Sequence, residues 1–288
     1  MGMGMGGTDT LLAVQPTYAN VAYGSHELNV LDFWQANASG PTPLVVFFHG
    51  GAFRAGSKDS LATGNADFLQ ALLDAGMSVA SVDYRLREHA PLPAPYTDSM
   101  RALQFLRSKS ENWNIDGSRV GAWGNSAGAA ISMWLAFHEE MGTPGASDSI
   151  ARESSRLTAV ASESGQTMID PEFWARWIPG MDDPAAVFSI LRFESDDSAV
   201  RENIAREHSA LTHVSVDDPP IYMSYRMAPD DPVPTEGAAG WQIHHVIFGV
   251  KLKEKADEIG LEAHLSYPGV RSNYASVVEF FRDKLESN

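Results

Sequence analysis

Gly124-Asn125-Ser126-Ala127-Gly128 has the form G-x-S-x-G. A buried-looking run, Arg119 to Trp123, precedes it, and an apolar helical stretch follows to about His138. In a strand–turn–helix the serine is held in a strained turn at a helix N-terminus, where the dipole favours developing negative charge. The same small residues occur in plain loops, where Ser126 would be only a helix cap. The flanking strand and helix separate the two readings. His49-Gly50-Gly51-Ala52-Phe53 stands 77 residues upstream, directly after another apolar run. Acyl transfer needs N–H groups aimed at the oxyanion of a tetrahedral intermediate, and a Gly-Gly turn at a strand end can supply them. The expected donors are the amides of Gly51, Ala52 and Ala127; the alternative is an ordinary glycine turn.

The elements that must carry these residues follow from hydrophobic pattern. Thr17 to Gln35 reads as two short strands joined at Gly24-Ser25-His26. Pro43 to Phe48 is apolar on both faces, as in a covered strand of a parallel sheet, and Met77 to Tyr84 reads as the next buried strand. Asp59 to Ala75 and Tyr96 to Ser108 have helical spacing. Further on, Leu157 to Ser162, Pro220 to Tyr225 and Leu261 to Tyr267 read as strands, with helices over His245 to Ile259 and from Tyr274. This alternation predicts an α/β fold: a doubly wound, mostly parallel sheet with helices on both faces. Residues 1–288 are expected to form one domain, with residues 1–10 a flexible tail and residues 165–218 a cap-like insertion carrying Trp174, Trp177 and Phe188.

Composition narrows the partners. Lys plus Arg is 21 and Asp plus Glu is 37, a formal charge of −16 that repels nucleic acid and anionic lipid. With no cysteine, disulfides, thiolate metal sites and a cysteine nucleophile are excluded. Neither a signal-peptide core nor a run long enough to span a membrane is evident, so the expected location is cytoplasmic. His244-His245 is an adjacent pair rather than an i, i+4 pair, and Asp230-Asp231 lacks a calcium-loop continuation, so no metal is expected in the chemistry.

Together, His49-Gly-Gly-Ala-Phe53, Asp83-Tyr-Arg-Leu86, Trp113-Asn-Ile-Asp116, Arg119 through Gly128 and Asp218-Pro-Pro220 resemble the bacterial α/β-hydrolase esterases related to hormone-sensitive lipase. The resemblance runs from about residue 40 to 235 and implies a serine esterase for small carboxylic esters, with a Ser-Asp-His triad and no cofactor. It places the acid after the strand ending at Tyr225, where Asp230-Asp-Pro-Val-Pro234 looks like the family's D-x-x-V-P turn. Asp230 is the expected acid, with Asp231 the runner-up. The family's histidine follows the last strand, yet this segment reads Tyr267-Pro-Gly-Val-Arg-Ser-Asn-Tyr274, with Ser272 in the histidine's place.

A relocated base must come from another histidine. His138 lies twelve residues along the helix from Ser126, about 18 Å, and cannot reach. His26 and His213 fall at unsuitable edges, His264 lies inside a strand, and His49 suits a structural role in its turn. His89 sits in a Pro-rich loop and His208 cannot be placed. His244 and His245 remain, beside the acid loop. His245 shares the inward stripe with Phe248 and Leu252 and is the expected base, with His244 the runner-up. The expected function is hydrolysis of short-acyl, small-molecule esters through an acyl-enzyme on Ser126. The alternative is an α/β-hydrolase fold that binds a ligand without turnover. A homo-oligomer is compatible with the sequence, which does not set the oligomeric state.

Overall fold

The computed structural model describes residues 14–181 and 197–286. Phe188 and the N-terminal tail lie outside the described residues. Eight strands form one sheet: β1 Tyr18–Ala22, β2 Val30–Trp34, β3 Thr42–Phe48, β4 Ser78–Val82, β5 Ile115–Asn125, β6 Ala159–Glu163, β7 Ile221–Ser224 and β8 Ala263–Ser266. Their order is β1-β2-β4-β3-β5-β6-β7-β8. β2 pairs antiparallel with β1 and β4, and the six strands from β4 to β8 run parallel.

Side chains alternate across a strand, so β3 feeds two cores. Leu44, Val46 and Phe48 enter a cluster with Leu103 of α3 (Ala94–Ser108), Ile131 of α4 (Ala127–Phe137) and Phe248 of a later helix, Ile247–Ile259. Val45 and Phe47 face the opposite cluster, with Leu69 of Ala66–Asp74 and Phe280 and Phe281 of Val277–Leu285. Helices therefore cover both faces, the architecture of an α/β-hydrolase. Every residue of α4 is buried, which matches its lack of a polar stripe.

Two elements differ from the pattern-based expectation. The single helix over Asp59 to Ala75 is two, α1 (Asp59–Gly64) and α2 (Ala66–Asp74), because Asn65 leaves helical geometry at φ −135° after a poorly helix-forming glycine. The region before residue 245 is also more structured than expected. After α5 (Pro171–Trp177), α6 (Ser198–Glu207) and α7 (Ala210–His213), a short helix α8 covers Ala238–Ile243. It precedes α9 (Ile247–Ile259), and α10 (Val277–Leu285) closes the chain.

Parallel pairing aligns the strand exits. Phe48 pairs with Gly124, Asn125 with Glu163, Glu163 with Ser224, and Ser224 with Ser266. The loops after β3, β5, β6, β7 and β8 consequently open along one edge of the sheet, the usual place for a site in such folds.

Candidate active site

Ser126 leaves β5 with φ 51° and ψ −116°, a backbone region that a non-glycine residue enters only at a cost. Its N–H donates to the Glu163 carbonyl across the sheet edge at 3.0 Å, and its own carbonyl accepts from Ala130 at 3.0 Å as α4 begins. The turn is tight because Gly128 lies against β3: a Cβ there would stand 1.9 Å from the Phe48 carbonyl oxygen. The tight turn between β5 and α4 thus holds Ser126 at the strand-exit edge of the sheet.

The turn after β3 adopts three successive positive φ values, 110° at Gly51, 55° at Ala52 and 59° at Phe53. Arg54 and Ala55 both donate to the Gly51 carbonyl, at 2.9 and 3.1 Å. The Phe53 ring is buried beside Tyr84 and Tyr96, and Arg87 N–H holds the Phe53 carbonyl at 2.7 Å. The amides of Gly51, Ala52 and Ala127 make no hydrogen bond within the described residues.

His49 is a brace for this turn. Its ring is buried, stacks on Tyr84 at 4.2 Å and contacts the Gly50 carbonyl through Nδ1 at 2.7 Å, while the Tyr84 hydroxyl donates to the His49 carbonyl at 2.6 Å. Burial lowers the His49 pKa. Below it, burial pushes the Asp83 carboxyl up to about 6 although Lys58 N–H donates to it at 2.6 Å.

His244 reaches the serine. Its Nε2 lies 2.9 Å from Ser126 Oγ, and its Nδ1 lies 2.8 Å from the Gly240 carbonyl one turn back in α8. A carbonyl only accepts, so Nδ1 carries the proton and Nε2 presents its lone pair to the Ser126 O–H. Burial holds the His244 pKa below the ordinary imidazole value, with a smaller push from Arg226; the Gly240 hydrogen bond opposes both. The imidazole is therefore neutral near pH 7, in the form that accepts a proton.

The expected pairing of Ser126 with His245 is corrected by this geometry. His245 is 1% exposed and packs on Trp241 at 4.5 Å, where its Nδ1 accepts from Ile247 N–H at 3.2 Å at the start of α9. It does share the inward stripe of α9, but inward there means the core rather than the cleft. Asp230 is exposed and forms no hydrogen bond or ion pair among the described residues. Asp231 is occupied within its own turn, accepting from Ala228 N–H at 2.8 Å. Neither carboxylate contacts His244, so the expected acid contact is replaced by the Gly240 carbonyl. Ser272 also does local work, accepting from Tyr274 N–H at 3.2 Å.

Two residues of the 165–181 segment touch the chain beside His244. The Gln166 amide donates to the Ile243 carbonyl, and Gln242 donates to the Pro179 carbonyl at 3.2 Å, both beside His244. Trp174 is wholly buried against Phe248 and donates to the Met168 carbonyl at 2.7 Å, so it packs the insertion down. Trp177 stays partly exposed under Lys251 Nζ, 3.8 Å from its ring.

A serine at a strained strand–helix turn, a neutral histidine on its hydroxyl and a bent glycine turn thus meet at the strand-exit edge of an α/β-hydrolase fold. The chain belongs to the BD-FAE family, which matches over residues 31–239. It is 34% identical over 151 residues to probable carboxylesterase 13 of Arabidopsis thaliana, spanning 49% of this chain and 43% of that protein. It is also 34% identical over 116 residues to carboxylesterase NlhH of Mycobacterium tuberculosis, spanning 39% and 34%. The chain thus matches less than half the length of these relatives. Among solved structures, a truncated carbohydrate esterase from gut microbiota superposes with a TM-score of 0.66 at 22% identity, covering 87% of this chain and 86% of that one. A bacterial heroin esterase gives 0.65 at 18% identity, covering 92% and 83%. Among the described residues, no helix is long and apolar enough to cross a membrane.

Proposed function

We propose that the protein is a serine carboxylesterase acting on small, short-acyl esters through an acyl-enzyme. The observation that carries this reading is the 2.9 Å approach of His244 Nε2 to Ser126 Oγ with the proton fixed on the other ring nitrogen. Ser126 attacks the ester carbonyl carbon while His244 Nε2 takes its proton. The imidazolium then returns that proton to the departing alkoxide as the tetrahedral intermediate collapses. Water, deprotonated by the same nitrogen, attacks the acyl-Ser126 and releases the acid. Gly51, Ala52 and Ala127 N–H groups hold the oxyanion, and the Gly240 carbonyl orients the ring in place of a carboxylate. The carboxylesterase relatives and the BD-FAE match support this chemistry.

The described part of residues 165–218 acts as a cap over the strand exits and restricts acyl length, a reading supported by the contacts of Gln166 and Pro179 to α8. A ligand-binding protein without turnover is the second reading, favoured by one observation: neither Asp230 nor Asp231 touches His244. Assay of p-nitrophenyl acetate and longer esters, with organophosphonate trapping read by peptide mass spectrometry, tests both. Turnover of the acetate with an adduct on Ser126 is expected, and kcat/KM should fall as the acyl chain lengthens. No turnover and no adduct, or an adduct on another serine, would overturn the esterase reading.

A further inference from the structure

Far from Ser126, three side chains converge where the insertion meets the end of α4. His138 follows the last turn of α4, Glu207 ends α6 and His213 ends α7. One donor atom from each lies within 4.8 Å of the others. His138 Nε2 is 3.2 Å from Glu207 Oε1, and the two imidazole rings are 4.2 Å apart at 36°.

We propose that His138, Glu207 and His213 form a binding site for one divalent transition ion of the zinc class, which fastens the insertion to the end of the nucleophile helix. Two imidazoles and a carboxylate are the borderline donor set that zinc selects, leaving a fourth position for water. Bonds of about 2.0–2.1 Å put tetrahedral ligand atoms about 3.4 Å apart, so closing the triad takes a modest side-chain rotation. Glu207 is free to make it, since its side chain is 45% exposed.

Two further observations point to an ion. His138 Nε2 is buried, and its 3.2 Å contact with Glu207 Oε1 falls short of a well-directed hydrogen bond. Such a nitrogen, facing an anionic oxygen without a well-directed bond, is the arrangement that a shared cation satisfies. His213 Nε2 lies 2.8 Å from the Glu207 backbone carbonyl, to which it donates, so its lone pair is on Nδ1. A ligating histidine characteristically donates its other N–H to a carbonyl in this way, which fixes the tautomer. His138 is twelve residues from Ser126 along a helix, about 18 Å, so the ion braces the fold without touching the reaction.

The test is zinc titration of the chelator-treated full chain, followed by calorimetry and thermal unfolding, with Co²⁺ substitution to report coordination. One ion per chain is expected, with tetrahedral cobalt bands. Unfolding should rise by about 5 °C once zinc exceeds its dissociation constant a hundredfold. Glu207→Gln, a half-exposed and nearly isosteric change, should weaken binding at least tenfold without lowering the metal-free midpoint by more than about 2 °C. His213→Ala should do the same more strongly. Initial ester hydrolysis should be equal with and without the ion. Absence of saturable binding below about 100 μM, or stoichiometric binding that survives both Glu207→Gln and His213→Ala, would overturn the proposal.

Discussion

His244 Nε2 stands 2.9 Å from Ser126 Oγ while the adjacent His245 turns the other way into the core. Two consecutive histidines thus do opposite work. His244 caps the C-terminus of α8 and projects into the cleft, whereas His245 supports the first turn of α9. The difference comes from the junction between the two helices, which turns successive side chains to different environments.

Among the described residues no carboxylate contacts His244, and that has a direct consequence. Asp230→Ala and Asp231→Ala should each leave kcat within about threefold of the parent. In a triad whose carboxylate orients the base, its loss costs on the order of 10⁴. Steady-state kinetics on p-nitrophenyl acetate decides this. A drop beyond a hundredfold in either variant would mean that a carboxylate swings onto His244 during turnover.

The pH profile should follow from the environment of His244. Burial, assisted by Arg226, keeps its folded pKa below the ordinary 6.5, and the proposed mechanism needs the neutral ring. Activity should therefore rise on an acid limb centred below 6.5 and be complete at neutral pH. Arg226→Gln removes a positive charge that disfavours the imidazolium, so that limb should move to higher pH while the plateau stays. Arg226 is 83% exposed in its pair with Glu163, and breaking that pair should cost little stability. A limb that stays put or moves to lower pH contradicts the assignment.

Strain at the elbow should be measurable apart from activity. Ser126→Gly relieves a positive φ worth about 1–3 kcal/mol and adds about 0.5–1 kcal/mol of unfolded-chain entropy. Thermal unfolding should rise by a few degrees while esterase activity disappears. Gly128→Ala should do the reverse to the fold, since its Cβ would fall 1.9 Å from the Phe48 oxygen. If Ser126→Gly is less stable than the parent, the turn is not strained as described.

Much of this arrangement is legible in the chain. Pro43 to Phe48 and Val120 to Trp123 are apolar on both faces because helices cover both sides of β3 and β5, and the glycines around Ser126 mark the close approach of α4 to β3. What the chain conceals are features set by tertiary contact. Gly237-Ala-Ala-Gly240 is a weak helix former, so α8 is hard to anticipate. Without α8 the histidine pair reads as the start of one helix, with His245 inward. The stripe was a sound guide to burial but says nothing of a serine at the sheet edge. Asp230 and Asp231 match a family turn in letters, yet their turn closes on Ala228. His138 precedes Glu207 by 69 residues, a separation at which no ligand spacing can be read.

The most direct test of the account is the pre-steady-state rate at which p-nitrophenyl acetate acylates Ser126 in the parent, His244→Ala and His245→Ala proteins, with the acyl-peptide located by mass spectrometry. His244→Ala should slow acylation by about 10⁴–10⁶ with unfolding little changed. His245→Ala should retain more than a tenth of the parental rate while losing several degrees of stability, because it empties a buried site. Acylation that survives in His244→Ala at more than a tenth of the parental rate, or that collapses in a well-folded His245→Ala, would contradict the assignment of His244 as the base.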